Sequence, residues 1–188
     1  MSEIAKPISD TLVSRSIVAP VGGIIKRMTD IVLATVAIGL MLPLLVFCSV
    51  ATLLASGRPV IVRHRRIGFR GHAFECFSFE TSTTRLGAML RKAGLDELPQ
   101  LFNVLRGDMS IVGPQPISGD EFDQYADQEV AYLSCKPGIT GLWRVHGKAN
   151  HRERVSLDCD YATRWSPLLD AKIAISSLSA ALGPAANR

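Results

Sequence analysis

Cysteine is present in this chain but never in a pairing pattern. Cys48, Cys76, Cys135 and Cys159 stand far apart, with no CxxC and no histidine at ligand spacing. Neither a disulfide framework nor a zinc site is indicated, and reduced cytosolic thiols are expected. The four histidines, His64, His72, His146 and His151, are scattered in the same way, which suits surface or phosphate-adjacent positions better than metal ligation. Basic and aromatic residues do not interleave as they do where bases stack, so nucleic acid is not an expected partner. Repeats and low-complexity tracts are missing as well. The most informative absence is of acid. No Asp or Glu occurs between Asp30 and Glu75, and no charge of either sign between Ile31 and Ala55.

That 25-residue uncharged run is long enough to cross a bilayer core of about 30 Å. It starts too far into the chain, and lacks the following small-residue site, for a signal peptide. Lys26 and Arg27 precede it, and Arg58, Arg63, Arg65, Arg66 and Arg70 follow it. Positive charge at both ends favours keeping both ends on the cytoplasmic side. Pro43 lies near the middle and removes a backbone hydrogen bond there. Each half, at about 18 Å, is too short to span alone. A helix kinked at Pro43 that enters and leaves one leaflet accounts for both facts; a tilted spanning helix with a tolerated proline is the alternative. Either way a membrane-attached protein is expected.

With 188 residues and a net charge of +4, the chain supports one modest domain plus this anchor. The expected division is a disordered leader over 1–23, a membrane-inserted helix over 24–58, a cytosolic domain over 59–182 and a flexible tail over 183–188. The expected fold is α+β, mostly helical. Short strands are read at Val60–Val62 and Phe74–Phe79, joined through a Gly68–Gly71 turn. Helices are read over Thr84–Ala93, Glu97–Arg106, Gln124–Tyr132 and Glu153–Thr163, and from Pro167 onward. Lys136-Pro137-Gly138 signals a tight turn into Ile139–Val145. Trp165 is placed at the lipid interface.

Between Arg91 and Pro116 the chain reads RKAGLDELPQLFNVLRGDMSIVGPQP. Leu98, Leu101, Phe102 and Leu105 fall at i, i+3, i+4 and i+7, one apolar helix face. Asp96 and Glu97 sit at the head of that helix, where its dipole favours the ionised form. Arg91 and Lys92 stand close by in sequence. An ionised carboxylate in that setting suits a nucleophile or a divalent-cation ligand. From spacing alone, ordinary helix capping explains the same two residues more simply.

Several segments in one order decide between these readings: KRMTDIVLA, RRIGFRGHAFECF, TRLGAMLRKAGLDELPQLFNVLRGDMSIVGP, KPGITGLWRVHGK and YATRWSPLLDAKI. Together, over about residues 24–178, they resemble the bacterial sugar transferases, monotopic phosphoglycosyl transferases that prime exopolysaccharide, closest to those of rhizobial type. The resemblance implies transfer of a sugar phosphate from a UDP-sugar, of glucose or galactose type, to undecaprenyl phosphate. Asp96 would be the nucleophile and Glu97, with Asp96, would hold Mg²⁺. Arg91, Gln115, Lys148, Asp158 and Asp170 match further positions of the pattern, as substrate-binding residues, although a dipole-pairing role rivals the one implied for Asp170. The implied location is the cytoplasmic face of a bacterial inner membrane, with other polysaccharide-assembly proteins as further partners.

The chain departs from the family pattern at several points. Ser78-Phe79-Glu80 stands where Lys-Phe-Arg is usual, Gln115 and Lys148 each replace an arginine, Leu42 replaces the serine before the helix proline, and the chain is short between Thr81 and Thr84. A diverged paralogue acting as a membrane scaffold or regulator of polysaccharide synthesis is therefore the second expectation.

Overall fold

The computed structural model describes residues 20–81, 84–122, 125, 128–147 and 150–182. Most of the expected leader, the tail over 183–188, Gln124 at the expected helix start, and Lys148 lie outside the described residues.

A single long helix, α1 (Gly23–Ser56), runs unbroken through Pro43. Its 34 residues extend about 51 Å. It is the one helix among the described residues long and apolar enough to cross a membrane. A hairpin follows, β1 (Ile61–Ile67) and β2 (Ala73–Phe79), antiparallel with His64 opposite Cys76 and Val62 opposite Ser78. Then come α2 (Arg85–Ala93), a 3-10 turn at Leu95–Glu97, α3 (Gln100–Arg106), β3 (Ser110–Val112), α4 (Gly119–Phe122) and α5 (Glu129–Leu133). The chain ends through β4 (Gly138–Thr140), α6 (Leu142–Val145), α7 (His151–Arg164) and α8 (Pro167–Leu182). The fold is thus α+β and mostly helical, with two two-stranded sheets, β1–β2 and the parallel pair β3–β4.

Local chemistry explains most boundaries. Thr84 caps α2 by accepting the Gly87 amide, and Gly94, in the left-handed conformation, ends it. Asn150 and Glu153 form a reciprocal capping box on α7. Ser166 accepts the Leu169 amide at the head of α8, with Pro167 at the first helical position. The strand β3 was not expected from sequence. Three residues carry too short an alternation to register, and the ladder is made by distant partners: Ser110 N–H donates to Pro137 O and Gly113 N–H to Thr140 O, each at 2.8 Å.

Helix α1 does not stand apart from the domain. Lys26, Asp30, Ala34, Leu45, Cys48 and Thr52 form one buried stripe along it. Ala34 packs with Cys76, Leu101, Val104 and Met109, while Leu45 and Cys48 pack with Phe79 and Leu90. From Lys26 to Thr52 that contact extends about 39 Å. The opposite face is apolar and exposed, for example at Ile24, Leu40, Phe47 and Leu54.

The first two turns of α1 carry polar ties. Arg27 donates to the carbonyls of Val104 and Leu105 at the end of α3. Lys26 bridges to Asp170 on α8 at 2.7 Å. Asp30 accepts from Ser110 Oγ and the Ile111 amide. Lys26, read from sequence as a flanking charge at a membrane surface, is therefore committed to the interior, where a buried charge is tolerated only with such partners, while Arg27 is half-buried.

Candidate functional site

The carboxylate pair does not head α3 as its spacing suggested. An α-helix through Asp96 and Glu97 would need an amide on Pro99 to reach Leu95 O, and proline has none. Leu98 N–H takes that carbonyl instead at 3.3 Å, closing a 3-10 turn over Leu95–Glu97. The helix proper starts at Gln100. Its buried side is also shifted: Phe102 is exposed, whereas Asn103 is fully buried. Asn103 accepts the Phe77 amide at 3.0 Å and donates to Glu75 O at 2.7 Å, tying α3 to the hairpin. This fixes the 3-10 turn against β2.

The turn opens onto a cavity of about 200 Å³. Asp96, Glu97 and Gln100 form one side; Cys76, Ser78, His64 and Arg66 of the hairpin form another. Gln115, Pro116, Gly138, Ile139 and Trp143 close it. The last group depends on one close approach. A Cβ on Gly138 would collide with the Gly113 backbone, so only glycine lets the Val-Gly-Pro and Lys-Pro-Gly segments lie together as the β3–β4 pair.

Asp96 is half-buried and, among the described residues, has neither a hydrogen-bond nor an ion-pair partner. Glu97 is bridged to Arg144 Nη2. Burial pushes the Glu97 carboxyl above its ordinary value, Arg144 draws it back, and Asp96 adds to the upward push. Arg66 supplies a second cation, partly engaged by Glu121 at 3.3 Å. Burial pushes the Cys76 thiol up to about 11, so it is protonated at neutral pH and a poor nucleophile. Two polar atoms in the wall are buried without a partner among the described residues, Gln115 Oε1 and Trp143 Nε1, an acceptor and a donor.

Of the residues expected at the site, Asp96, Glu97 and Gln115 line the cavity. Arg91 is exposed and gives Nε and Nη2 to Thr81 Oγ1 at 3.2 and 2.8 Å. Asp158 is 1 % exposed, accepts Tyr125 O–H at 2.8 Å and the Gln115 amide, and does not line the cavity. Asp170 accepts from Lys26, Tyr161 O–H and Trp165 Nε1, joining α1, α7 and α8. That bond also packs Trp165, half-buried, onto the domain. Pro43 sits within α1.

Arg144, Trp143 and Arg66 escaped the sequence reading as site residues. Arg144 had one usable signal, a basic residue a few positions after the Lys-Pro-Gly turn. Nothing local connects it to a glutamate 47 positions earlier.

Two carboxylates at the mouth of a small cavity suit a divalent ion that takes one or two carboxylates and completes its shell with water and phosphate oxygens. Mg²⁺ is such an ion. Among the described residues no group of three or more His, Cys, Asp or Glu gathers as a cage, and Mg²⁺ does not need one.

The cavity thus sets two carboxylates and two arginines on a domain joined to an apolar helix. The family model for bacterial sugar transferase matches residues 21–183, and the chain belongs to that family. It is 35% identical to the exopolysaccharide production protein ExoY of Rhizobium meliloti (strain 1021), over 87% of this chain and 88% of that protein. It is also 35% identical to a UDP-glucose:undecaprenyl-phosphate glucose-1-phosphate transferase of Caulobacter vibrioides, over 84% of this chain and 69% of that one. The identity is 34% to the undecaprenyl-phosphate galactose phosphotransferase of Salmonella typhimurium, covering 76% of this chain but only 37% of that longer protein.

Proposed function

We propose that this chain transfers a sugar phosphate from a UDP-sugar, of glucose or galactose type, to undecaprenyl phosphate, and so primes exopolysaccharide synthesis. The observation that carries the reading is Asp96: a carboxylate facing a cavity, unpartnered among the described residues, beside a second carboxylate held by an arginine. A carboxylate tied up in capping would be hydrogen-bonded to backbone amides, and this one is not.

In the proposed reaction an Asp96 oxygen attacks the sugar-side phosphorus of the UDP-sugar. The bond from that phosphorus to the bridging oxygen breaks, and UMP departs with the oxygen and its electron pair. A phosphate oxygen of the polyprenol phosphate then attacks the same phosphorus. The Asp96–phosphorus bond breaks, freeing the carboxylate and leaving a polyprenyl diphosphosugar. Arg144 holds Glu97 ionised and in place. With Arg66 it offers guanidinium N–H groups to phosphate oxygens, the strongest kind of neutral-pH anion contact. Mg²⁺ held by Asp96 and Glu97 would offset charge on the diphosphate.

The membrane placement proposed for this function is monotopic, on the cytoplasmic face of the inner membrane. Contact between α1 and the domain over about 39 Å supports it, since a helix upright across about 30 Å of hydrocarbon would carry the domain's polar surface into lipid. The exposed apolar face of α1 would lie in the leaflet where the lipid substrate resides.

A second reading has one observation in its favour. Ser78 and Gln115 line the cavity where the family pattern has basic residues, which leaves fewer contacts for phosphate. In that reading the chain is a diverged membrane scaffold or regulator of polysaccharide synthesis. The two separate on one experiment: UMP release by purified protein given UDP-glucose or UDP-galactose, Mg²⁺ and a polyprenol phosphate, beside Asp96→Asn. The transferase reading expects release that needs both Asp96 and the lipid. No release from folded protein across a panel of UDP-sugars would favour the scaffold.

A further inference from the structure

A larger cavity, of about 570 Å³, lies away from the Asp96 site and shares no lining residue with it. It is built where α1 begins, between the hairpin turn and the end of α3. Arg27 and Lys136 both come close to Gly107, with Arg27 Nη2 at 3.4 Å and Lys136 Nζ at 3.6 Å from where a Cβ on that glycine would sit. Two cations thus flank one glycine.

Among the described residues, neither cation is neutralised by a carboxylate within ion-pair distance. Arg27 spends two N–H groups on the carbonyls of Val104 and Leu105, which leaves three of its five donors. Lys136 is half-buried and, among the described residues, has no hydrogen bond or salt bridge. Its nearest acids are otherwise engaged. Asp108 pairs with Arg106 at 3.5 Å, and Asp30 is held by Ser110 and Ile111. Lys26, also in the wall, is satisfied by Asp170. Burial and Arg27 press the Lys136 ammonium below its ordinary value, and Asp30 and Asp108 pull it back only in part, so an anion between the two cations would relieve the remainder.

Asp30, Asp108 and His72 also line the cavity, and Val21, Ile24, Phe69 and Phe74 form an apolar part of its wall. Ile24 is 82 % exposed and belongs to the outward apolar face of α1. A ligand whose anionic end rests between Arg27 and Lys136 would therefore leave the cavity across apolar surface continuous with that helix. Free phosphate uses only the cations; an amphipathic phosphate ester uses both halves.

We propose that this cavity binds a phosphate ester, specifically the head group of an anionic membrane lipid, with Lys136 and Arg27 on the phosphate and the apolar wall against the start of the lipid chain. The site goes beyond the transfer reaction and does not depend on it.

The test is the thermal midpoint of the full chain in neutral detergent, titrated separately with phosphatidylglycerol, phosphatidylcholine and inorganic phosphate. Wild type is compared with Lys136→Met, Lys136→Arg and, as a control for general surface charge, Lys172→Met. Saturating phosphatidylglycerol is expected to raise the wild-type midpoint by about 5 °C. Lys136→Arg and Lys172→Met should keep the shift, phosphatidylcholine should give little, and Lys136→Met should lose it. Lys136→Met is expected to fold, since it removes an unpaired, half-buried charge. A Lys136-dependent shift with inorganic phosphate of the same size would support the anion site but overturn the lipid assignment. No shift in wild type, or an equal shift in Lys136→Met, overturns the site altogether.

Discussion

Asp158→Asn distinguishes a structural carboxyl from a substrate-binding one, and its effect follows from burial. Asp158 is 1 % exposed beneath Tyr125, and burial pushes its carboxyl up to about 7 from an ordinary 3.8. The Tyr125 hydroxyl, the Gln115 amide and Arg154 pull the other way but do not prevail. In the unfolded chain this group ionises near its ordinary value, so between pH 4 and 7 folding takes up a proton. The folded pKa is raised; the group's contribution to stability is therefore full at low pH and is lost as pH rises through about 7. Each pH unit in that window costs about 1.4 kcal/mol, and from pH 5 to 8 the loss is about 3 kcal/mol. Asparagine matches the shape, keeps one acceptor oxygen and does not titrate. Thermal midpoints in detergent at pH 5 and 8 should therefore fall by about 5–10 °C more in wild type than in Asp158→Asn. Equal falls in the two proteins would refute the assignment. A raised KM for the UDP-sugar with no difference in pH slope would return Asp158 to the substrate.

Arg144→Gln should lower kcat for UMP release by about 10–100-fold, the range for one charged hydrogen bond lost. Because Arg144 opposes the upward push of burial on Glu97, its loss should also move the acidic limb of the rate profile to higher pH; an unmoved limb would argue that Arg144 only packs. For the membrane placement, single cysteines at Gly23 and at Ser56, in a background with the four native cysteines replaced, should both be labelled from the cytoplasmic side of sealed vesicles. Labelling from opposite sides would overturn the monotopic arrangement.

What could be read from the sequence divides along the range of the interactions involved. Pro99 has no amide for Leu95 O, so the α-helix cannot take in Asp96 as well as Glu97, and the chain closes a 3-10 turn over Leu95–Glu97. The expectation of a helix from Glu97 counted Pro99 as tolerable in its first turn, where an amide has no intrahelical acceptor, and the helix instead starts at Gln100. Phe102 misled for a related reason. A seven-residue helix presents so little face that one buried polar contact, Asn103 on the β2 backbone, sets its rotation.

The sequence by itself determined the apolar helix, the caps at Thr84, Asn150 and Ser166, the hairpin, the Asp96-Glu97 pair and the family, because each resides in neighbouring residues or in the order of segments. Tertiary structure alone decided the rest. It placed Asp158 under Tyr125 and Asp170 between Lys26 and Trp165, away from the cavity wall. It brought Arg144 to Glu97, left Asp96 without a partner among the described residues, and set Lys136 beside Arg27. The charge of a side chain is local, but what that charge does depends on burial and on partners many residues away, and only packing supplies both.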